Sequence, residues 1–275
     1  MPYETPVTIR QALARIDSDD YVLPAIQREF VWGPERVAKL FDSVMRGYPI
    51  GGFLLWRLEP ETAQELDLYR FLRKYSEFDH RHNEPLNLLE PKALHAVLDG
   101  QQRLTALNVG LRGTYAYRLP RKWGHKAENF PSRTLHIEVC APRFDADADQ
   151  VTYRFELLRQ GEANARNDEA THWFPVPKVL HMESIVDVLP DLQRAGLSGD
   201  ALTRATRTLD RLRQVISSDL VVATHVEEVQ SLDRVLDIFI RVNSGGMALS
   251  SSDLLLSIAT ALEGARRARV DPHAG

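Results

Sequence analysis

The feature that most constrains this chain is a handover of periodicity. Residues 92–98 form a short apolar run, Asp99-Gly100 breaks it, and Leu104, Leu107 and Leu111 then recur at helical spacing up to Gly113. The pattern predicts a buried strand, a sharp turn and a helix in immediate succession. Another helix is predicted over 34–46, where Val37, Leu40, Phe41, Val44 and Met45 form one apolar stripe between Pro34 at the start and Gly47 past the end. Residues 49–56 read as a buried strand, and 59–87 are polar without a clear period. Leu135, Ile137 and Val139 alternate with polar neighbours, as do Val151, Tyr153, Phe155 and Leu157, which predicts a hairpin pair joined by a long acidic loop. Downstream, helices are predicted over 179–189, 200–216, 232–241 and 251–265, with a strand-like interruption at 220–225. No repeat or low-complexity linker divides the chain. The expected architecture is therefore one α+β unit, with a mixed core over 1–175 and a helical extension over 176–275 that packs on it.

Composition narrows the setting. The chain has 275 residues, 44% hydrophobic and 26% charged, the balance of an ordinary globular protein long enough to bury a core without covalent staples. Cys140 is the sole cysteine. That excludes an internal disulfide and Cys-based zinc sites and fits a reducing compartment. Met1 to Pro6 carry no basic-then-apolar leader, and no window approaches the roughly 18 apolar residues of a membrane span. The cytoplasm is the expected location.

The formal net charge of −4 argues against indiscriminate binding of polyanions. The distribution is uneven, however. Between Gly100 and Leu135, Arg103, Arg112, Arg118, Arg121, Lys122, Lys126 and Arg133 face one acid, Glu128, with Tyr115, Tyr117, Trp123 and Phe130 among them. Arginines outnumber lysines 28 to 6, which suits bidentate phosphate contacts and equally reflects a codon-biased genome. A DNA-binding surface at Arg118, Arg121, Lys122 and Lys126 is one reading of this segment.

Three further segments carry polar side chains that packing alone does not require. In Asp99-Gly100-Gln101-Gln102-Arg103 a strand feeds a helix, whose unpaired N–H groups and positive dipole end make an anion seat to which Arg103 adds a full charge. The same residues also spell a capping box, Asp99 with Gln102 three positions on, which would merely satisfy the helix's own amides. In the second segment Gln27 and Arg28 stand among apolar Ile26, Phe30 and Trp32, so Arg28 needs an anionic partner, either Glu29 or Glu35 or a ligand phosphate. The third, Arg241 to Ser250, ends a helix in Asn243-Ser244-Gly245-Gly246 and caps the next at Ser250 or Ser251.

Several catalytic signatures are missing. No lysine follows a glycine, so there is no Walker A loop, and neither a His-Glu-x-x-His helix nor a Gly-x-Ser-x-Gly elbow occurs. His80 and His82 lie in a polar stretch without a further ligand in view, which reads as a solvated loop. Asp145, Asp147, Asp149 and Glu156 have the spacing of a calcium loop, but Gln150 occupies the position that requires glycine.

Taken in order, Ile26-Gln27-Arg28 with Trp32, Leu40-Phe41-Asp42-Ser43 leading to Gly47-Tyr48-Pro49-Ile50-Gly51, Asp99-Gly100-Gln101-Gln102-Arg103-Leu104-Thr105, and Phe239-Ile240-Arg241-Val242-Asn243-Ser244-Gly245-Gly246 resemble the N-terminal domain of the GmrSD-type restriction endonucleases. The resemblance implies a ParB/sulfiredoxin-like α+β core, binding and hydrolysis of nucleoside triphosphates at the Asp-Gly-Gln-Gln-Arg motif, and a part in restricting foreign, often modified, DNA. It implies catalytic roles for Asp99, Gln101, Gln102 and Arg103, and nucleotide contacts from Gln27, Arg28, Gly100, Thr105, Asn243 and Ser244. Mg²⁺ is expected with the triphosphate, its ligands unassigned. Many relatives carry an HNH-type nuclease domain in the same chain or a partner. No His-Asn-His constellation follows here, so cutting is expected to need a separate nuclease domain or subunit. The alternative is a DNA-binding or modified-DNA-sensing module without turnover. A homo-oligomer is a further partner the sequence admits.

Overall fold

Two of the apolar runs become strands buried on both faces, which is why they show no strict alternation. The computed structural model describes residues 4–25, 29–79, 83–88, 90–141, 153–168 and 170–243. The elements run α1 (Ile9–Asp17), β1 (Tyr21–Pro24), α2 (Pro34–Met45), β2 (Phe53–Leu58), α3 (Pro60–Gln64), β3 (Leu68–Tyr69), β4 (Lys74–Ser76), β5 (Leu94–Asp99) and α4 (Gln101–Arg112). There follow β6 (Thr114–Ala116), β7 (Ser132–Glu138), β8 (Phe155–Leu158), α5 (Gln160–Arg166), β9 (Trp173–Pro175), α6 (Leu189–Arg194), α7 (Gly199–Ser217), β10 (Thr224–Glu227) and α8 (Leu232–Asn243). The fold is α+β, as the sequence pattern predicts.

One mixed sheet has the order β10-β2-β5-β1-β3, with β10 parallel to β2, β2 antiparallel to β5, β5 parallel to β1 and β1 antiparallel to β3. Its strands divide their side chains between two cores. Phe53, Leu55 and Val97 join the main core with α1, α2, α4 and α7, whereas Leu54, Trp56, Leu58, Leu94, Ala96 and Leu98 form a smaller core with Val235 and Phe239 of α8. A second sheet, β4-β6-β7-β8 with β9 also on β7, carries the predicted antiparallel pair, in register Leu135 to Leu157 and Ile137 to Phe155.

α4 lies deepest. Ten of its twelve residues are buried, so it is enclosed on nearly every side rather than amphipathic. A Cβ at Gly110 would stand 2.6 Å from the Phe41 ring, so α2 and α4 approach too closely there for a larger residue. The later chain is tied on by guanidinium groups bonded to carbonyls: Arg10 to Leu180, Arg204 to Cys140 and Arg211 to Met45 at the end of α2.

Local readings fail where proline or long-range pairing intervenes. The helix expected over 179–189 is instead two 3₁₀ turns, Val176–His181 and Ile185–Asp187, followed by α6. Pro177 lies at the start of the first turn and Pro190 at the start of α6, where a missing N–H is tolerated, so each marks the beginning of a short element rather than the interior of one continuous helix. The strand expected from residue 49 starts at Phe53. The one expected at 220–225 is shifted to Thr224–Glu227, while Val222 pairs with Val7. The helix expected over 251–265, the residues His80 to His82 and the acidic run Asp145 to Asp149 lie outside the described residues.

Candidate functional site

The handover from β5 to α4 is made by Gly100, the N-cap of α4, at φ +91. A Cβ there would stand 2.3 Å from the Phe53 ring, so both the left-handed backbone and the close approach require glycine. The helix start has no side-chain cap, which overturns the capping-box reading. Asp99 turns to Arg103, one oxygen accepting from Nη2 at 3.0 Å. Gln102 turns to a segment far upstream, where its Oε1 accepts from the Val31 N–H at 3.0 Å and its Nε2 donates to the Glu29 carbonyl at 2.8 Å. No side chain of the motif is therefore spent on capping α4.

Arg103 is held on three sides. Nη1 donates to the Ile50 carbonyl at 2.5 Å, Nη2 to Asp99, and the guanidinium carbon stands 4.7 Å from the centre of the Phe53 ring. Burial pushes its pKa down, opposed by the Asp99 charge and hydrogen bond. A guanidinium nevertheless stays protonated, so the site holds a fixed, poorly hydrated positive charge. Gly51, at φ +83, makes this seat: a Cβ would lie 2.4 Å from Arg103 Nη1. Ile50 and Gly51 thus form the cradle of Arg103, ahead of the strand that starts at Phe53.

Beside Arg103 opens a cavity of about 250 Å³ lined by Trp32, Arg36, Lys39, Leu40, Ser43, Pro49, Ile50 and Arg103. Three cations and an indole line it, with no carboxylate among the described lining residues. Gln102 fixes the upstream chain that brings Trp32 here, and the Tyr115 hydroxyl donates to the Trp32 carbonyl at 2.9 Å. Sequence reasoning misses Arg36, Lys39 and Ser43 as site residues. Their i, i+3, i+7 spacing places them on one face of α2, and that face reads as solvated until the α4 side is known.

A larger cavity, about 570 Å³, is lined by Asp17, Asp19 and Glu84 together with Arg70, Arg73 and Lys74. There Arg70 pairs with Asp19 and Arg73 with Asp17. Such matched charges give little net field for an anion, so size does not make it the better candidate.

Of the remaining motif residues, Gln101 and Thr105 are buried in the first turns of α4. Gln27, Arg28 and Ser244 lie outside the described residues, and Asn243 is the last residue of α8. The basic segment separates into two groups. Arg112 donates to the Leu13 carbonyl, and Arg133, 4% exposed, to those of Tyr117 and Pro131. Arg118, Arg121, Lys122 and Lys126 are exposed on the connection between β6 and β7, and none of them lines the Arg103 cavity. Among the described residues no three His, Cys, Asp or Glu side chains converge on a metal position. Asp99 offers a carboxylate beside Arg103, with its side chain 35% exposed and one oxygen engaged. That fits a cation carried chiefly by a polyphosphate. No described helix is long and apolar enough to cross a membrane.

A family model described as GmrSD restriction endonuclease, N-terminal domain, matches residues 9–260. An uncharacterized protein of Methanocaldococcus jannaschii is 36% identical over 88 residues, which is 32% of this chain and 14% of that protein. The matched part of the chain thus spans about one seventh of that relative's length.

Proposed function

This chain belongs to the GmrSD restriction endonuclease N-terminal domain family, and from that premise we propose that it is the nucleoside-triphosphate-binding and hydrolysing module of a prokaryotic DNA-restriction or phage-defence system. It acts with a separate HNH-type nuclease domain or subunit, on a ParB/sulfiredoxin-like core. The observation that carries the reading is the cavity beside Arg103, where Arg36, Lys39 and Arg103 share the lining with Trp32.

Phosphoryl transfer is chiefly positioning and charge neutralisation. Arg103 and, as the family resemblance implies, Gly100 receive phosphate oxygens, Arg36 and Lys39 neutralise the remainder of the chain, and the Trp32 indole faces the nucleoside. Asp99 orients the attacking water, with Gln101 beside it. Gln102 acts as a positioning residue through the backbone of Glu29 and Val31. Gln27, Arg28, Thr105, Asn243 and Ser244 keep the nucleotide-contact roles that the family resemblance implies. Mg²⁺ would be held by Asp99 and the triphosphate's own oxygens and, when bound, supplies positive charge to the phosphates.

Triphosphate turnover by the wild type and by Arg103→Ala tests this. A fall of about 10²- to 10³-fold is expected for loss of a transition-state charge donor, and equal rates would overturn the role of Arg103. A second reading, engagement of DNA, is favoured by the four exposed cations at Arg118, Arg121, Lys122 and Lys126. It requires that binding weaken steeply with salt.

A further inference from the structure

The connection between β6 and β7 is built to hold one aromatic ring in water. Trp123 is 91% exposed, although tryptophan is on average a strongly buried residue. A single exposed apolar side chain is unremarkable by itself. Here, however, the backbone around it is fixed from below. Asn129, 5% exposed, donates from Nδ2 to the carbonyls of both Trp123 and Gly124, each at 3.1 Å. The Leu119 N–H donates to the Asn129 carbonyl at 2.7 Å, closing the base of the loop. Phe78 stacks on His125 with ring centres 4.4 Å apart and packs against buried Phe130, over which the Arg118 guanidinium lies at 5.1 Å.

Arg121 adopts φ +60, a conformation that costs a non-glycine residue energy and persists only where the surroundings impose it. The loop therefore spends a buried amide and a strained arginine on presenting an indole, and it carries exposed cations before and after that indole. Arg118, Arg121, Lys122 and Lys126 are exposed here, against the carboxylates of Glu128 in the same segment and of Glu77, which accepts from the Arg118 N–H at 3.0 Å. An exposed indole with exposed cations on either side of it in the chain matches a strand that offers phosphates and base π-faces alternately. It matches a fully paired duplex less well, because there the base faces are already stacked on one another.

We infer that Trp123 stacks on an unpaired base of DNA, with Arg118, Arg121, Lys122 and Lys126 following the phosphates on either side. The substrate class of this surface is single-stranded or locally opened DNA. The inference rests on the DNA-binding reading above and is independent of the triphosphate site.

The test compares a labelled single-stranded oligothymidylate with a fully paired duplex of the same length, titrated against the full chain at several salt concentrations without nucleotide. Trp123→Ala is expected to weaken the single-strand complex by about 5- to 150-fold, the value of one stacked base, while leaving the salt dependence and the duplex affinity unchanged. Trp123→Phe should retain most of the affinity. Arg121→Gln with Lys122→Gln should instead flatten the salt dependence, by about 0.7 in logarithmic slope for each phosphate no longer neutralised. If the wild type binds but Trp123→Ala binds equally well, or loses duplex and single strand alike, stacking is overturned and DNA binding survives. If the wild type binds neither probe, the DNA reading itself falls, and the stacking inference with it.

Discussion

At the first turn of α4 one guanidinium is held by a carbonyl, a carboxylate and an aromatic ring, beside a small cavity lined with two more cations. On the loop between β6 and β7, four exposed cations accompany an exposed indole whose backbone carbonyl accepts from buried Asn129. Both places concentrate positive charge. They differ in how much freedom that charge keeps, and freedom decides what each can recognise. A desolvated, immobile Arg103 has already lost its side-chain entropy and much of its hydration, so it favours one compact anion in one geometry. Exposed Arg121, Lys122 and Lys126 remain hydrated, which suits a repeating polyanion bound by counterion release.

Two glycines offer the sharpest way to break this comparison, because both have left-handed backbones and only one is crowded. Gly51→Ala places a Cβ 2.4 Å from Arg103 Nη1. It is expected to displace the guanidinium and lower triphosphate turnover at least about 10-fold, within the range set by loss of a charge donor, at a stability cost of about 1–2 kcal/mol. Gly124→Ala, at φ +87 with nothing within 4 Å, should cost similar stability and leave turnover unchanged. Matched changes in turnover would show that Arg103 is not held by its cradle. A smaller effect is expected of Gln102→Leu, which removes both bonds to the Glu29 and Val31 backbone. It should cost about 1–3 kcal/mol in denaturant titration and raise KM for the triphosphate more than it lowers kcat, because Trp32 is released while Arg103 stays. A drop confined to kcat would place Gln102 in the chemistry instead.

The smallest effect lies away from both regions. Burial pushes the pKa of His136 and His172 below the ordinary 6.5, with Lys178 adding to the shift in each. A histidine kept neutral by the fold stabilises it fully above about pH 6.5, and that contribution is lost as the pH falls toward the depressed folded value. The melting temperature should therefore fall between pH 7 and pH 5, each histidine contributing at most about 1.4 kcal/mol per pH unit. His136→Asn should flatten that slope by about half, and an unchanged slope would exclude His136 as a source.

Much of the scaffold is legible in the sequence because it depends on local periodicity. Leu94 to Arg112 and Pro34 to Met45 carry their own apolar spacing and their own glycine or proline boundaries, and the structure places strand, turn and helices there. The segment at 176–188 defeats a local reading because its apolar residues fill a tertiary gap beside α4 and α7, with Val176 and Val179 fully buried, rather than forming a helical stripe. The motif Asp99-Gly100-Gln101-Gln102-Arg103 is visible, but the division of labour within it is not. Asp99 with Gln102 satisfies the spacing of a cap, yet Gln102 bonds to backbone about seventy residues upstream.

By itself, then, the sequence determined that a strand would hand over to a helix at Gly100, that basic and aromatic residues would cluster after it, and that motifs shared with a known family were present in order. Only the tertiary structure decided that Gly51 would seat Arg103, that Arg36 and Lys39 would turn a solvated face of α2 into a cavity wall, and that Asn129 would hold out Trp123. The reason is one of range. Backbone preference and apolar period act within a turn or two of helix, whereas the partner of a polar side chain is whichever group the folded chain brings within hydrogen-bond distance.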